Sequence, residues 1–174
     1  MQDTRNVTNE YKGMPLEQIV ADLDKKGTGL EIAIENLERD FNMGTIVRTA
    51  NAFGVRRLHI IGRRQWNKRG AMATDKYLHI TYHSSINDFL ATIQGKTLIA
   101  FDNVPGSTNL SQAALPKNAV LLFGAEGPGI SDELLGRADQ IVAIEQFGST
   151  RSINVGVAAG IAMYAWLRQN YLLQ

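Results

Sequence analysis

Three stretches hold residues whose types and spacing could do chemistry. The first is Ala119 to Leu135, AVLLFGAEGPGISDELL. An apolar run (Val120, Leu121, Leu122, Phe123) stops at a loop holding Gly124, Glu126, Gly127, Pro128 and Gly129, and a short helical pattern opens at Ser131. A buried strand that ends in a glycine-rich turn before a helix is where open α/β sheets bind ligands. Glycine lets backbone approach a ligand without a Cβ clash. The pattern points to a nucleotide-like ligand, with Glu126 the one charged residue in the loop. As a dinucleotide fingerprint it departs from G-x-G-x-x-G, because the spacing is G-x-x-G-x-G and Pro128 removes a backbone donor. Glu145 nevertheless falls about 20 residues on, where a ribose-binding acid would sit. A tight structural turn is the other reading.

The second stretch is Asn42 to Gly54, NMGTIVRTANAFG. Asn42 can cap a helix there. Arg48 lies among Ile46, Val47, Ala50 and Phe53. An arginine in so apolar a helix either pairs with a carboxylate or binds an anion, and its planar fork suits phosphate. The third stretch is Glu145 to Tyr164, EQFGSTRSINVGVAAGIAMY. Gly148, Ser149 and Thr150 form a flexible loop, Ser152 is placed to cap the final helix, and Asn154 is polar in its first turn. Gly156, Ala158, Ala159, Gly160 and Ala162 then allow close backbone packing. That packing serves a sheet, a crowded cofactor floor or a subunit interface.

A fourth feature is charge. Arg56, Arg57, Arg63, Arg64, Lys68 and Arg69 fall within 14 positions that hold no Asp or Glu, with Trp66 among them. This suits a nucleic-acid backbone and a base-stacking platform; a solvated charged face is the alternative. His59, His79 and His83 have no metal-ligand spacing and read as structural. The sequence carries neither a Ser-His-Asp signature nor a P-loop, and no metal is expected.

The elements that must position these residues alternate. Helical spacing covers Pro15 to Asp24, Gly44 to Phe53, Ile86 to Ile93, Ser131 to Gly136 and Asn154 to Asn170, and weakly Ser111 to Leu115. Strands are expected at Leu30 to Leu37, Arg57 to Ile61, Tyr77 to Tyr82, Thr97 to Phe101, Ala119 to Phe123 and Gln140 to Ile144. Residues 62–76 read as a basic loop. This order predicts an α/β fold with a mostly parallel sheet and helices on both faces. Residues 1–13 read as a mobile arm and 14–174 as one domain. The 174 residues are 44% apolar and 20% charged, with net charge +1. The absence of cysteine excludes disulfides and fits a reducing compartment. The N-terminus has no apolar core of a signal peptide. The longest apolar stretch, Val155 to Leu167, is too short to span a bilayer. A cytoplasmic protein with no membrane partner is the expectation.

In order along the chain, the three stretches resemble the signature motifs of the SpoU-type (TrmH-like) RNA ribose 2′-O-methyltransferases of the SPOUT superfamily. ERDFNMGTIVRTANAFGV (Glu38 to Val55), LLFGAEGPGIS (Leu121 to Ser131) and IEQFGSTRSINVGVAAGIAMY (Ile144 to Tyr164) carry the resemblance, which extends from about Leu30 to Leu167. The resemblance implies an α/β fold whose C-terminal part is threaded into a deep trefoil knot. It implies S-adenosylmethionine as cofactor, held by Phe123, Gly124, Ala125, Gly127, Ile144, Gly148, Ser152, Ile153 and Val155. It also implies a homodimer. By position, Asn42, Arg48, Glu126, Ser152 and Asn154 match the family's active-site residues. The chain departs from the family at Gly156, where a serine is frequent, and it lacks the added N-terminal RNA-binding domain of some relatives. RNA affinity then falls to the Arg56 to Arg69 stretch. Transfer RNA is slightly favoured over ribosomal RNA. Two other readings stay open: a nucleotide-dependent oxidoreductase built on the Gly124 to Gly129 loop with Glu145, and a non-catalytic RNA-binding protein on the same fold.

Overall fold

The computed structural model describes residues 7–36, 42–125 and 127–173. Helix α1 spans Leu16–Lys26, with Pro15 pre-set for its start and Gly27 at its end. Strand β1 (Glu31–Asn36) leads to helix α2 (Met43–Ala52), and Gly54 at φ 72° turns the chain into strand β2 (Arg57–Gly62). Two 3-10 turns, Arg69–Ala71 and Thr74–Tyr77, occupy the expected basic loop. Strand β3 is His79–His83, so Tyr77 belongs to the turn and not to the strand. Helix α3 (Ile86–Thr92) is capped by Ser85, whose side chain accepts from the Asp88 amide. Then come β4 (Thr97–Phe101), the two-residue β5 (Thr108–Asn109), β6 (Ala119–Phe123), the short α4 (Asp132–Leu135), β7 (Gln140–Ala143) and α5 (Val155–Leu167), which closes in a π-helical turn at Arg168–Leu172.

The strands form one sheet in the order β3-β2-β1-β6-β4-β7-β5, and every described pairing is parallel. Parallel strands need crossovers, so helices cover both faces. One core gathers Ile32, Ile34, Val47, Leu121, Met163 and Trp166 under α2 and α5, and the other gathers Ala33, Ile61, Phe89, Leu122 and Leu134 under α3 and α4. Burying each such large side chain contributes about 1.5–3 kcal/mol, which decides the strand register. The glutamates of β1 do not reach solvent. Glu31 and Glu35 are both buried, because α3 and α4 cover the face they occupy.

Two expectations are corrected. Part of the expected arm is docked: Tyr11 is buried with Ile19 and Tyr77, and its hydroxyl donates to Asp22 Oδ2 at 2.7 Å; residues 1–6 lie outside the described residues. The weak helix over 111–115 is instead a turn, held by the Gln112 and Ala113 amides donating to the Asn109 carbonyl, with β5 just before it. Two residues are too few to show a strand period.

Candidate active site at the carboxyl edge of the sheet

The carboxyl ends of β4, β6 and β7 surround a cavity of about 360 Å³, within the usual range for small-molecule sites. Its floor is apolar. Phe101 and Phe123, at the ends of β4 and β6, stack with ring centroids 5.5 Å apart, and Val142, Ile144 and Ile153 join them. Its polar groups come from Asp102, Asn103, Asp132, Gln146 and Ser152.

The glycine loop makes one wall. The Gly129 amide donates to the Ala125 carbonyl at 3.1 Å, closing the loop on itself. Gly124 has no room for a side chain, since an added Cβ would stand 2.1 Å from the Gly129 carbonyl carbon. Phe123, Gly124, Ala125 and Gly127 all line the cavity, as do Ile144, Ser152, Ile153 and Val155. Gly148 does not; it is exposed farther along the same loop. Sequence reasoning missed the β4 end. Phe101 to Val104 line the cavity too, but DNVPGSTN carried only turn residues, and only strand order brings β4 beside β6.

The third stretch reaches the first. Asn154 Nδ2 donates to Asn42 Oδ1 at 2.9 Å. Capping is assigned differently from expectation. Asn154, and not Ser152, caps α5, its Oδ1 accepting from the Gly156 and Val157 amides at 3.0 and 3.3 Å. Asn42 stands at the start of α2 without a side-chain capping bond, because its backbone there is already helical. The α2 and α5 ends are close. A Cβ at Gly156 would meet Thr45 Cγ2 at 3.2 Å, so the serine frequent in the family would crowd α2. Arg48 is exposed on α2, off the cavity wall, with no carboxylate in ion-pair range among the described residues. Glu126 lies outside the described residues.

The basic stretch divides. Arg56 is buried: its Nε donates to Asp24 Oδ1 at 2.8 Å and its Nη2 to the Tyr77 carbonyl at 2.6 Å. A guanidinium so consumed cannot reach RNA, and Arg56 is withdrawn from the candidate RNA surface. Arg57 is exposed but begins β2, at the sheet edge opposite the cavity. Arg63, Arg64, Trp66, Lys68 and Arg69 follow the carboxyl end of β2, on the cavity's side. Nor is the charge wholly unbalanced, because Lys68 pairs with Asp75 at 2.9 Å. Gly44 of α2 presses on the Gly70–Ala71 backbone (an added Cβ would stand 2.7 Å from the Ala71 nitrogen), so this loop is held against the helix that carries Arg48. Trp66 is not a lone platform. Its Nε1–H donates to Tyr82 Oη at 3.3 Å, and the Arg64 guanidinium lies 4.8 Å from the Tyr82 ring centroid. Tyr82 was missed because β3 brings it from 16 residues away.

The histidines stand apart from the cavity. His59 Nε2 is 3.0 Å from Glu31 Oε2, His59 Nδ1 shares a hydrogen bond with His83 Nε2 at 2.9 Å, and Phe89 packs on both rings. Burial pushes the Glu31 carboxyl up, but hydrogen bonds from His59 and Lys96 outweigh it and the net shift is downward. Burial, reinforced by the neighbouring His59, pushes His83 down. His79 bridges to Asp24 at 2.9 Å. Glu145, the candidate ribose ligand of the oxidoreductase reading, instead accepts from the Ser111 amide at 3.1 Å, a bond that lowers its pKa.

Comparison with known proteins places this geometry. The tRNA (guanosine(18)-2'-O)-methyltransferase of Escherichia coli strain K12 is 27% identical over 152 residues, which are 84% of this chain and 66% of that protein. The crystal structure of the A. aeolicus TrmH/SpoU tRNA modifying enzyme superposes with a TM-score of 0.79 at 27% identity, covering 91% of this chain and 83% of that one. The AdoMet-bound rRNA methyltransferase from Sinorhizobium meliloti superposes with a TM-score of 0.72 at 25% identity, covering 81% of this chain and 56% of that one. The chain thus spans two thirds or less of the length of two of these three proteins. The family model described as SpoU rRNA Methylase family matches residues 29–164, from the strand before the first motif to the last residue of the third. A match of that extent, with all three motifs gathered at one edge of the sheet, means that this chain belongs to the SpoU rRNA methylase family.

Proposed function

We propose that the protein transfers a methyl group from S-adenosylmethionine to a ribose 2′-hydroxyl in RNA, with transfer RNA the favoured substrate. The observation that carries this reading is the Asn42–Asn154 hydrogen bond, which joins the first and third motifs beside the cavity walled by the second. The E. coli and A. aeolicus proteins, both named as acting on tRNA, support the choice of substrate.

The cavity fits the cofactor by chemistry. The Phe101–Phe123 pair and the aliphatic floor suit an adenine ring. Gln146 Oε1 is buried on the wall without a hydrogen-bond partner, an acceptor suited to a ribose hydroxyl or an ammonium group. Asp102 and Ser152 supply further polar contacts. When bound, the cofactor supplies an electrophilic methyl group on a sulfonium.

The chain's own residues align the acceptor and assist loss of its proton. Arg48 clamps the phosphate beside the target ribose and orients the hydroxyl. A guanidinium is a poor proton acceptor, so Arg48 is not assigned as the base. Asn42 and Asn154 present a fixed carboxamide pair to the ribose, and Ser152 supports it from the cavity wall. Glu126, which lies outside the described residues, is our candidate proton acceptor. Arg63, Arg64, Trp66, Lys68 and Arg69, with Tyr82, form the RNA surface, and residues 14–174 act as a single catalytic domain.

The wider proposal is a cytoplasmic homodimer with a deep trefoil knot in its C-terminal part. Family membership supports the knot, and so does the way β6 inserts between β1 and β4. True knots are otherwise nearly absent from folds. The apolar exposed side of α5 supports the dimer. Among the described residues no helix is long and apolar enough to cross a membrane.

Calorimetry with S-adenosylmethionine and with NAD tests the site. The wild type is expected to bind the first and not the second. Gly124→Ala is expected to weaken binding about 10–100-fold, since overpacking costs about 1–3 kcal/mol. Binding of NAD alone would return the loop to the oxidoreductase reading.

A further inference from the structure

Two amides at the far end of the glycine loop are each held by a carboxylate, and one of the two, Glu35, has no part in the mechanism above. The Ile130 amide donates to Asp102 Oδ2 at 3.2 Å, and the Ser131 amide donates to Glu35 Oε2 at 2.7 Å. Strand order explains the pairing. β6 runs between β1 and β4; Glu35 is the penultimate residue of β1, and Asp102 directly follows β4. The chain leaves β6 at Phe123, turns through the glycines, and returns into the grip of one carboxylate from each flanking strand. Asp102 is itself held, its Oδ1 accepting from the Asn103 amide at 2.8 Å and its own amide donating to the Val142 carbonyl of β7.

Glu35 is 3% exposed. A buried carboxylate is costly unless hydrogen-bonded, and an apolar side chain of similar size would pack there at least as well. We propose that Glu35 and Asp102 are positioning residues: a two-carboxylate clamp that holds the glycine loop in its binding shape before the ligand arrives. Preorganisation of this kind raises affinity by removing an ordering cost from the binding step. Glu35 is not on the cavity wall and acts only through the loop, whereas Asp102 also lines the cavity. That the ligand is S-adenosylmethionine rests on the preceding reading; the clamp itself does not.

The test uses Glu35→Leu and Glu35→Gln in the full chain, with two readouts: hydrogen exchange at the Ile130 and Ser131 amides, and the calorimetric Kd for S-adenosylmethionine. Glu35→Leu is expected to speed exchange at both amides and raise Kd, each by about tenfold or more, while turnover at saturating cofactor changes by less than about threefold. Glu35→Gln keeps an acceptor oxygen and is expected to restore most of both. A merely structural role would lower the melting temperature without this split between Kd and kcat. Unchanged exchange and unchanged Kd in a folded Glu35→Leu protein would overturn the clamp. If that variant does not fold, Glu35→Met, which also removes the acceptor and leaves the cavity wall untouched, decides on the same two readouts. Protected amides in a wild type that fails to bind S-adenosylmethionine would support the clamp and overturn the cofactor reading.

Discussion

Arg57 opens β2 and Arg64 lies past its carboxyl end, and that separation decides which of them can share an RNA with the cavity. Arg64 follows the carboxyl end of the strand and covers Tyr82; Arg57 starts the strand and stands 4.0 Å from Glu31. Arg64→Glu is expected to weaken RNA binding about tenfold and to flatten its salt dependence, because one phosphate contact is lost. Arg57→Glu is expected to do neither, as read by filter binding over a salt series. Equal losses would mean that RNA also runs across the amino edge of the sheet. The sequence showed six basic residues in one block, yet it could not separate them. Arg56 looked like its neighbours, and only the return of Asp24 from α1 and of the Tyr77 carbonyl shows that its charge is spent inside the fold.

At the scale of elements, most of what was legible came from periodicity and punctuation. The helical spacing of α2 and the apolar run of β6 were both readable, and so were the residues of the cavity wall from those motifs. The order of strands was not, because parallel pairing depends on partners far apart in sequence. For that reason Asp102, Asn103 and Tyr82 went unseen. The same strand order brings Glu31, His59 and His83 into contact across β1, β2 and β3, and this fixes a pH response. The His83 pKa is lowered in the fold by burial and by His59. A lowered histidine stabilises only while neutral, so its contribution is complete above the unfolded value of about 6.5 and is lost as pH falls through the folded one. Asp24 and Glu31 are also lowered: burial opposes, but His79 and Arg56 prevail at the first and His59 and Lys96 at the second. Their contributions persist above about pH 4 and fade below it. Melting temperature is therefore expected to fall in two stages on acidification. His83→Leu is expected to remove the first stage, and a single stage in the wild type would contradict this assignment.

At the scale of the whole molecule, α5 is apolar on the side it turns away from its own sheet. Ala159, Ala162, Met163 and Trp166 are buried, while Val157, Ile161 and Tyr164 are exposed at helical spacing. A helix apolar all round needs cover on both sides. Ile161→Asp is expected to convert a particle of twice the 19.2 kDa chain mass into a monomer in sedimentation equilibrium, and a wild type already monomeric would remove the dimer from the account. The molecule's proposed work is methyl transfer to RNA. Its most direct measurement is methyl transfer from labelled S-adenosylmethionine to unmodified transfer RNA and, separately, ribosomal RNA, followed by nucleoside analysis. We expect a 2′-O-methylated nucleoside from the transfer RNA pool, with no turnover in Arg48→Ala although that variant still binds cofactor. No label in either pool, or label on a base instead of a ribose, would contradict the account.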